Sequence, residues 1–490
     1  MSSTTPLLRL APVSALPRSL PADQGVDPAA VLAFLDAVEA DPSIELHGLM
    51  VLRHGHVVAE GWWAPHTPER PRLLYSLSKS FTSTAVGFAL SEGMFDLDDP
   101  VVAHFPEFAA DITDAGSRAI TLRHVASMAS GHDRDMAQEA LARDPQEPVR
   151  GFLLTPPDQT PGTLFAYSQP CTYVLASLLQ RKAGTPLSEY LRPRLFDPLG
   201  IGEVGWLTWP PGREQGFSGL FARTEDVAKL GQLYLQRGRW NGNQLLPESY
   251  VAEATTRQVD NADHTENPDW RQGYGFQFWM ARHGYRGDGA FGQFCIVLPE
   301  QDAVVAITAG TEQMQAVLDT LWHHLLPGLG STAADAGAQQ ELDDRLRGLR
   351  LAPYAGQPGP PQGQDWGALS FPVTPAPDGA PETPLTSIRV GTATEGHLEV
   401  TIREASNAIT FPVGTADWSV SSSRDVQGDV VPVAASGGWL DDDTLRVEVI
   451  FLETPHRVDI TCSLSSRTAR AAWRDLPLVS GELETLHCPR

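Results

Sequence analysis

Ser76 and Lys79 stand three residues apart in the stretch YSLSKS, residues 75–80. That spacing puts two side chains on one face of a helix, within reach of each other. A hydroxyl beside an amine is a nucleophile beside its base. The chain makes little use of lysine: of its 36 basic residues only Lys79, Lys182 and Lys229 are not arginine. Arginine cannot give up its proton in a protein, whereas an amine can be made to by burial or by neighbouring charge. Lys79 therefore reads as a proton acceptor. Ser76, and not Ser78 or Ser80, reads as the nucleophile, because it alone lies one turn before the lysine. If Ser76 opens the helix, the positive end of the helix dipole and the first backbone N–H groups can receive an oxyanion.

Two further stretches carry usable chemistry. In PGTLFAYSQPCTYVLASLLQ, residues 161–180, Tyr167 sits in a loop just before a helix start, a place where a base is useful. In YRGDGAFGQFCIVLP, residues 285–299, Gly287, Gly289 and Gly292 open a strand. Glycines in such a place mark close approach by a ligand or another backbone. Each motif alone has a plainer reading: a solvated lysine at a helix start, an aromatic anchor, a bare turn.

The elements that must position these residues follow from periodicity and punctuation. Asp27 can cap a helix over 28–40 with Pro28 in its first turn. HGLMVLRHGHVVAEGWW, residues 47–63, reads as a β-hairpin around a His-Gly turn. Residues 80–93 read as a helix buried on most sides that ends at Gly93. From Phe95 to about Ala281 the signals are mainly helical. Two strands return at 291–310 around a Pro-Glu-Gln-Asp turn, followed by a helix in MQAVLDTLWHHLL. Strand pairs early and late, with helices between and at both ends, predict an α/β sandwich with a helical insertion. The segment 350–385 holds nine prolines and reads as a linker. Six short alternating or apolar runs beyond it predict a small all-β domain. The expected domains are thus an N-terminal extension 1–26, a catalytic α/β domain 27–349 with its insertion at about 95–281, the linker 350–385, and a β domain 386–490.

Composition narrows the function classes. Sixty acidic against 36 basic residues give a net charge of -24, which repels nucleic acid and anionic membranes alike. Arginine and prolines interrupt every apolar run of the N-terminal segment, no stretch approaches a membrane span, and the four cysteines are far apart without metal spacing. The expectation is a cytoplasmic protein with reduced thiols, without nucleic-acid or membrane partners, and with neither metal nor cofactor.

Taken together and in this order, the three motifs resemble those of the serine β-lactamase and penicillin-binding-protein superfamily, on its class C and esterase side. The segments ITLRHVASMASGHD, ARTEDVAKLGQLYLQRGRWNG and GYGFQFW are similar to family segments as well. The resemblance implies a β-lactamase-like antiparallel sheet sandwiched by helices. It also implies roles: Ser76 as nucleophile, Lys79 as the partner that removes its proton, Tyr167 as the proton shuttle, and the N–H groups of Ser76 and Ala290 as the oxyanion hole. Gln169 stands where the family has asparagine, and Gly287, Asp288, Gly289 where β-lactamases have lysine, threonine, glycine. With that lysine missing and Asp288 expected to repel a carboxylate, the substrate reads as a small ester or neutral amide. D-amino-acid peptides, amides or a lactam on the same site are the alternative, and a catalytically silent ligand-binding member is another.

Other constellations fail. Gly216-Phe217-Ser218-Gly219 is followed by Leu220, so no Gly-x-Ser-x-Gly elbow exists. His54, His56, His323 and His324 read as surface or helix-end residues, Asp441–Asp443 as a hairpin turn, and Cys171 and Cys295 as buried structural thiols. The β domain can shape the cleft mouth or mediate homo-oligomerisation.

Overall fold

The computed structural model describes residues 15–490 apart from 331–335, 355, 358–365, 367–368, 376–380, 393–397 and 479. Helix α1 (Pro28–Ala40) starts as expected, with the Asp27 carboxylate accepting the N–H of Ala29 at 2.9 Å. Strands β1 (Leu46–Arg53) and β2 (His56–Trp62) form the hairpin around His54-Gly55. They join β3 (Trp279–Met280), β4 (Tyr285–Gly289), β5 (Gln293–Leu298) and β6 (Ala303–Ala309) in an antiparallel sheet of order β2-β1-β6-β5-β4-β3.

Alternation along these strands feeds two cores, because successive side chains point to opposite faces. Leu49, Val51, Ile296, Val305 and Ile307 pack with Phe34, Leu35 and Val38 of α1. Met50, Leu52, Cys295, Val297 and Ala306 pack with helix α2 (Ser78–Ser91) and helix α4 (Thr224–Leu235). Between them in sequence lies helix α3 (Gln169–Ala183). Twelve residues of α2 are buried, from Ser78 to Ala89. A helix without a solvent face explains its run of small residues. The predicted insertion is mainly helical, and it also contains short strands that periodicity did not reveal. Leu220–Ala222 pairs with Arg72–Leu73 and with Gly205–Trp206, a three-stranded patch directly before the turn that carries Ser76.

The C-terminal part is all β. Four strands between Leu369 and Pro412 and five between Ser419 and Trp473 make two antiparallel sheets that share one core, including Phe371, Val400, Phe411, Val447 and Ile460. Leu369–Pro372 meets Thr468–Trp473, bringing the first and last strands of the meander together. That strand corrects the reading of 350–385 as linker throughout. Its Leu-Ser-Phe run is too short to signal a strand amid so many prolines, and pairing with Ser387–Thr392 creates it. Ser419–Arg424 and Thr468–Trp473 were also missed, the first because its alternation is carried by serines. Much of the rest of the proline-rich stretch lies outside the described residues. Asp441–Asp443 forms the predicted hairpin turn, with Asp441 Oδ1 accepting the N–H of Asp443 and of Thr444. Among the described residues no helix is long and apolar enough to cross a membrane.

The β domain is fastened to the segment leading into Ser76. Leu73 N–H donates to Glu453 O at 2.8 Å and Arg72 Nη1 donates to Leu452 O at 2.9 Å.

Candidate active site

Ser76 lies in a 3-10 turn, Tyr75–Leu77, that runs straight into α2. It thus precedes the α-helix proper, while the three-residue spacing to Lys79 holds. The three serines of YSLSKS have different fates. Ser78 Oγ donates to Tyr75 O at 2.6 Å and Ser80 Oγ donates to Gln277 O at 3.0 Å, and both residues are buried. Ser76 alone remains partly exposed. It opens on a cavity of about 400 Å³ lined in part by Tyr75, Gln169, Trp209 and Phe217.

Lys79, only 2% exposed, places Nζ 3.0 Å from Ser76 Oγ, 2.7 Å from Gln169 Oε1 and 2.8 Å from Phe217 O. Burial lowers its pKa to about 7, against the opposing pull of the Asp135 and Asp288 carboxylates. Burial, and not Tyr167, is what brings this amine close to neutrality at physiological pH. Two of its three partners, the Gln169 and Phe217 carbonyls, can only accept. A neutral amine keeps two N–H bonds and one lone pair, so once those carbonyls are served the lone pair faces the Ser76 hydroxyl.

Tyr167 stacks on Trp279, with ring centroids 5.2 Å apart, and its ring lies 4.8 Å from Lys79 Nζ. Its phenol is pushed above the usual range by desolvation and by Asp288, with a hydrogen bond to Ser76 acting in the opposite direction. The phenol therefore stays protonated at neutral pH and is suited to hand a proton on. Gln169 begins α3, followed by Pro170, and its N–H donates to Asp135 Oδ1 at 2.9 Å.

Strand β4 presses against the Ser76 turn. A Cβ on Gly289 would fall 2.0 Å from Leu74 O and 3.0 Å from Leu77 N, and one on Gly287 would meet Ser80 Oγ at 2.4 Å. Only glycine permits this approach, which sets Ala290 beside the Ser76 turn. The expected repulsion by Asp288 requires amendment. Arg286, two residues earlier on the same strand face and fully buried, donates from Nε to Asp288 Oδ2 at 3.0 Å. Its Nη1 also donates to Asp269 O, and its guanidinium stacks over Trp270 at 4.2 Å. Asp288 is itself buried, and desolvation pushes its carboxyl above the usual range. Sequence reading passed over Arg286; the period-2 spacing of opposite charges in RGD was the available signal.

A family model described as Beta-lactamase matches residues 37–326. The chain belongs to the β-lactamase family. Within this family it is 26% identical over 326 residues to the 6-aminohexanoate-dimer hydrolase of Paenarthrobacter ureafaciens, covering 60% of this chain and 81% of that one. It is 27% identical over 216 residues to Esterase EstB of Burkholderia gladioli, covering 38% of this chain and 55% of that one. A solved structure from Bacteroides dorei shares the fold at a TM-score of 0.51 and 15% identity, over 61% of this chain and 99% of that one. The homologues are hydrolases of the β-lactamase and penicillin-binding-protein type, and the chain is read as a serine hydrolase of this family.

Of the other sequence candidates, Cys171 lies near Lys79, in the first turn of α3, where burial pushes its thiol up to about 12. All four cysteines are buried and free. His54 and His323 are exposed. Among the described residues, one trio of metal-capable side chains, Asp425, Asp429 and His487, lies within 4.8 Å in the β domain. The Asp425 carboxylate there already accepts Asp429 N–H and the Asn407 amide.

Proposed function

We propose that the protein hydrolyses small esters or neutral amides through an acyl-enzyme on Ser76. The observation that carries this reading is the 3.0 Å contact between Ser76 Oγ and a buried Lys79 amine whose pKa is lowered to about 7. Neutral Lys79 takes the Ser76 proton as Oγ attacks the carbonyl carbon, and the new oxyanion is received by the N–H groups of Ser76 and Ala290. Collapse breaks the bond to the leaving oxygen or nitrogen, which receives the proton by way of the Tyr167 phenol. Water then adds to the acyl carbon, gives its proton back along the same route, and the acid departs with Ser76 restored.

The preference for neutral substrates rests on where the charge goes. Lys79 acts as the neutral amine and is engaged by three partners, and Arg286 is committed to Asp288, so neither is free to grip a substrate carboxylate. An apolar side pocket of about 170 Å³, lined by Leu141, Tyr173, Trp209 and Phe217 among others, opens beside Gln169. A dry cavity of roughly this size holds a benzene ring, so the acyl group is read as a phenyl or short alkyl chain.

The test is a panel of p-nitrophenyl esters (acetate, butyrate, phenylacetate) and the matching anilides, with mass spectrometry of the quenched enzyme. Turnover with an acyl adduct on Ser76, both lost in Ser76→Ala, is expected, with phenylacetate or butyrate preferred. Equal rates in the two proteins would overturn the reading.

A further inference from the structure

We infer that His456, in the C-terminal β domain, is a positioning residue that holds both halves of the oxyanion hole. The inference rests on the acyl-enzyme reading above and extends it to a residue more than 370 positions downstream of Ser76.

The imidazole is fully buried. Its Nδ1 lies 3.1 Å from Asp475 O, a carbonyl that can only accept, so Nδ1 carries the hydrogen. Nε2 is then bare and accepts the Tyr75 hydroxyl at 2.5 Å. The same ring stands edge-on to Phe291, with centroids 4.9 Å apart at 83°. Tyr75 and Phe291 also touch each other, at 5.3 Å between ring centroids.

Their neighbours give these contacts meaning. Tyr75 immediately precedes Ser76, and Phe291 immediately follows Ala290. The two N–H groups assigned to the oxyanion are therefore each one peptide away from a side chain that His456 grips. Both gripping points are strained: Tyr75 has φ 47° and Phe291 φ 63°. A bulky residue in the left-handed region costs on the order of 1–3 kcal/mol and persists only where its surroundings over-determine it. The Ser78 hydroxyl on Tyr75 O and the Gln293 amide on Phe291 O supply part of that determination, and His456 adds the one group that reaches both side chains, with a hydrogen bond at one residue and an aromatic edge at the other. Hole geometry is sensitive, because donors act on the oxyanion only when aimed within a few tenths of an ångström. The β domain thus completes the catalytic domain from behind the hole, without touching substrate through this residue.

The test is stopped-flow acylation by p-nitrophenyl butyrate in the full chain, scaled to active sites titrated by the burst. His456→Ala should lower the acylation rate per titrated site by roughly 10- to 100-fold, with KM changed far less. His456→Gln should recover much of the loss, since its amide can accept from Tyr75 and donate to Asp475 O. Tyr75→Phe should lose a similar factor, and the double variant Tyr75→Phe/His456→Ala should be no slower than the worse single one. A purely structural role would lower the melting temperature and the titrated fraction while the rate per site stayed at the wild-type value; that result overturns the inference. Should His456→Ala fail to fold, equal rates in wild type, His456→Gln and Tyr75→Phe would overturn it instead. Absence of any Ser76 adduct in the wild-type protein would overturn the hydrolase reading, and this inference with it.

Discussion

The N–H of Leu220 donates to Ser78 Oγ at 3.0 Å, and the same hydroxyl donates to Tyr75 O at 2.6 Å. One buried side chain therefore ties the turn that carries Ser76 to the small strand patch behind it. Ser78→Ala leaves a buried N–H and a carbonyl without this partner, which costs about 1–3 kcal/mol. The expected outcome in urea denaturation is a lowered midpoint with an unchanged slope, together with slower turnover. Ser76→Ala, at a partly exposed position, should leave the unfolding free energy within about 0.5 kcal/mol of wild type and remove turnover altogether. Reversal of that pattern between the two serines would mean that the wrong hydroxyl has been taken as nucleophile.

Acylation should follow the ionisation of Lys79. The neutral amine is the active form, and its pKa stands at about 7, so kcat/KM should rise with pH and level off above that value. Asp135 and Asp288 both pull this pKa upward. Asp135 is exposed, and asparagine in its place keeps an oxygen to accept the N–H of Gln169. Asp135→Asn should therefore move the acid limb to lower pH by roughly a few tenths of a unit. A limb that stayed in place, or moved upward, would show that the profile reports some other group.

The same amine makes stability depend on pH in a direction opposite to a paired lysine. In the unfolded chain it binds its proton up to its ordinary pKa of about 10.4, whereas the folded chain releases it near 7. Between those values the unfolded state holds the extra proton, so stability falls as pH drops from about 10 to about 7 and the full penalty remains below. Lys79→Met should raise the melting temperature at pH 6 by several degrees, on the order expected for removing a few kcal/mol of burial cost. The gain should shrink as pH approaches 10, and hydrolysis should be lost throughout. Calorimetry across pH 6 to 9 reads the slope directly.

The juxtaposition of Ser76 and Lys79 was legible because a three-residue spacing is local, and because one lysine among so many arginines stands out. The six-stranded sheet was readable in β1, β2, β5 and β6, whose apolar runs are long and bounded by turns. Arg286 escaped because its partner Asp288 was read as a lone charge in a degenerate motif, and only strand pairing puts the two on one buried face. Leu369–Pro372 escaped because its strand character comes from a partner, not from its own residues. His456 carries no local signal at all. It becomes meaningful only when the β domain docks and brings it to Tyr75, a contact spanning 381 positions.

The chain's arginine habit also decides how the molecule can be handled. Of its three lysines, Lys79 and Lys229 are buried, and Lys182 is exposed. Lys182 lies in the last turn of α3, the helix that begins at Gln169 beside Lys79. At 1.5 Å per residue that is about 20 Å from the site. Amine-directed coupling to a side chain would therefore attach the protein to a surface at one defined point, on the end of a helix that leads away from the cleft.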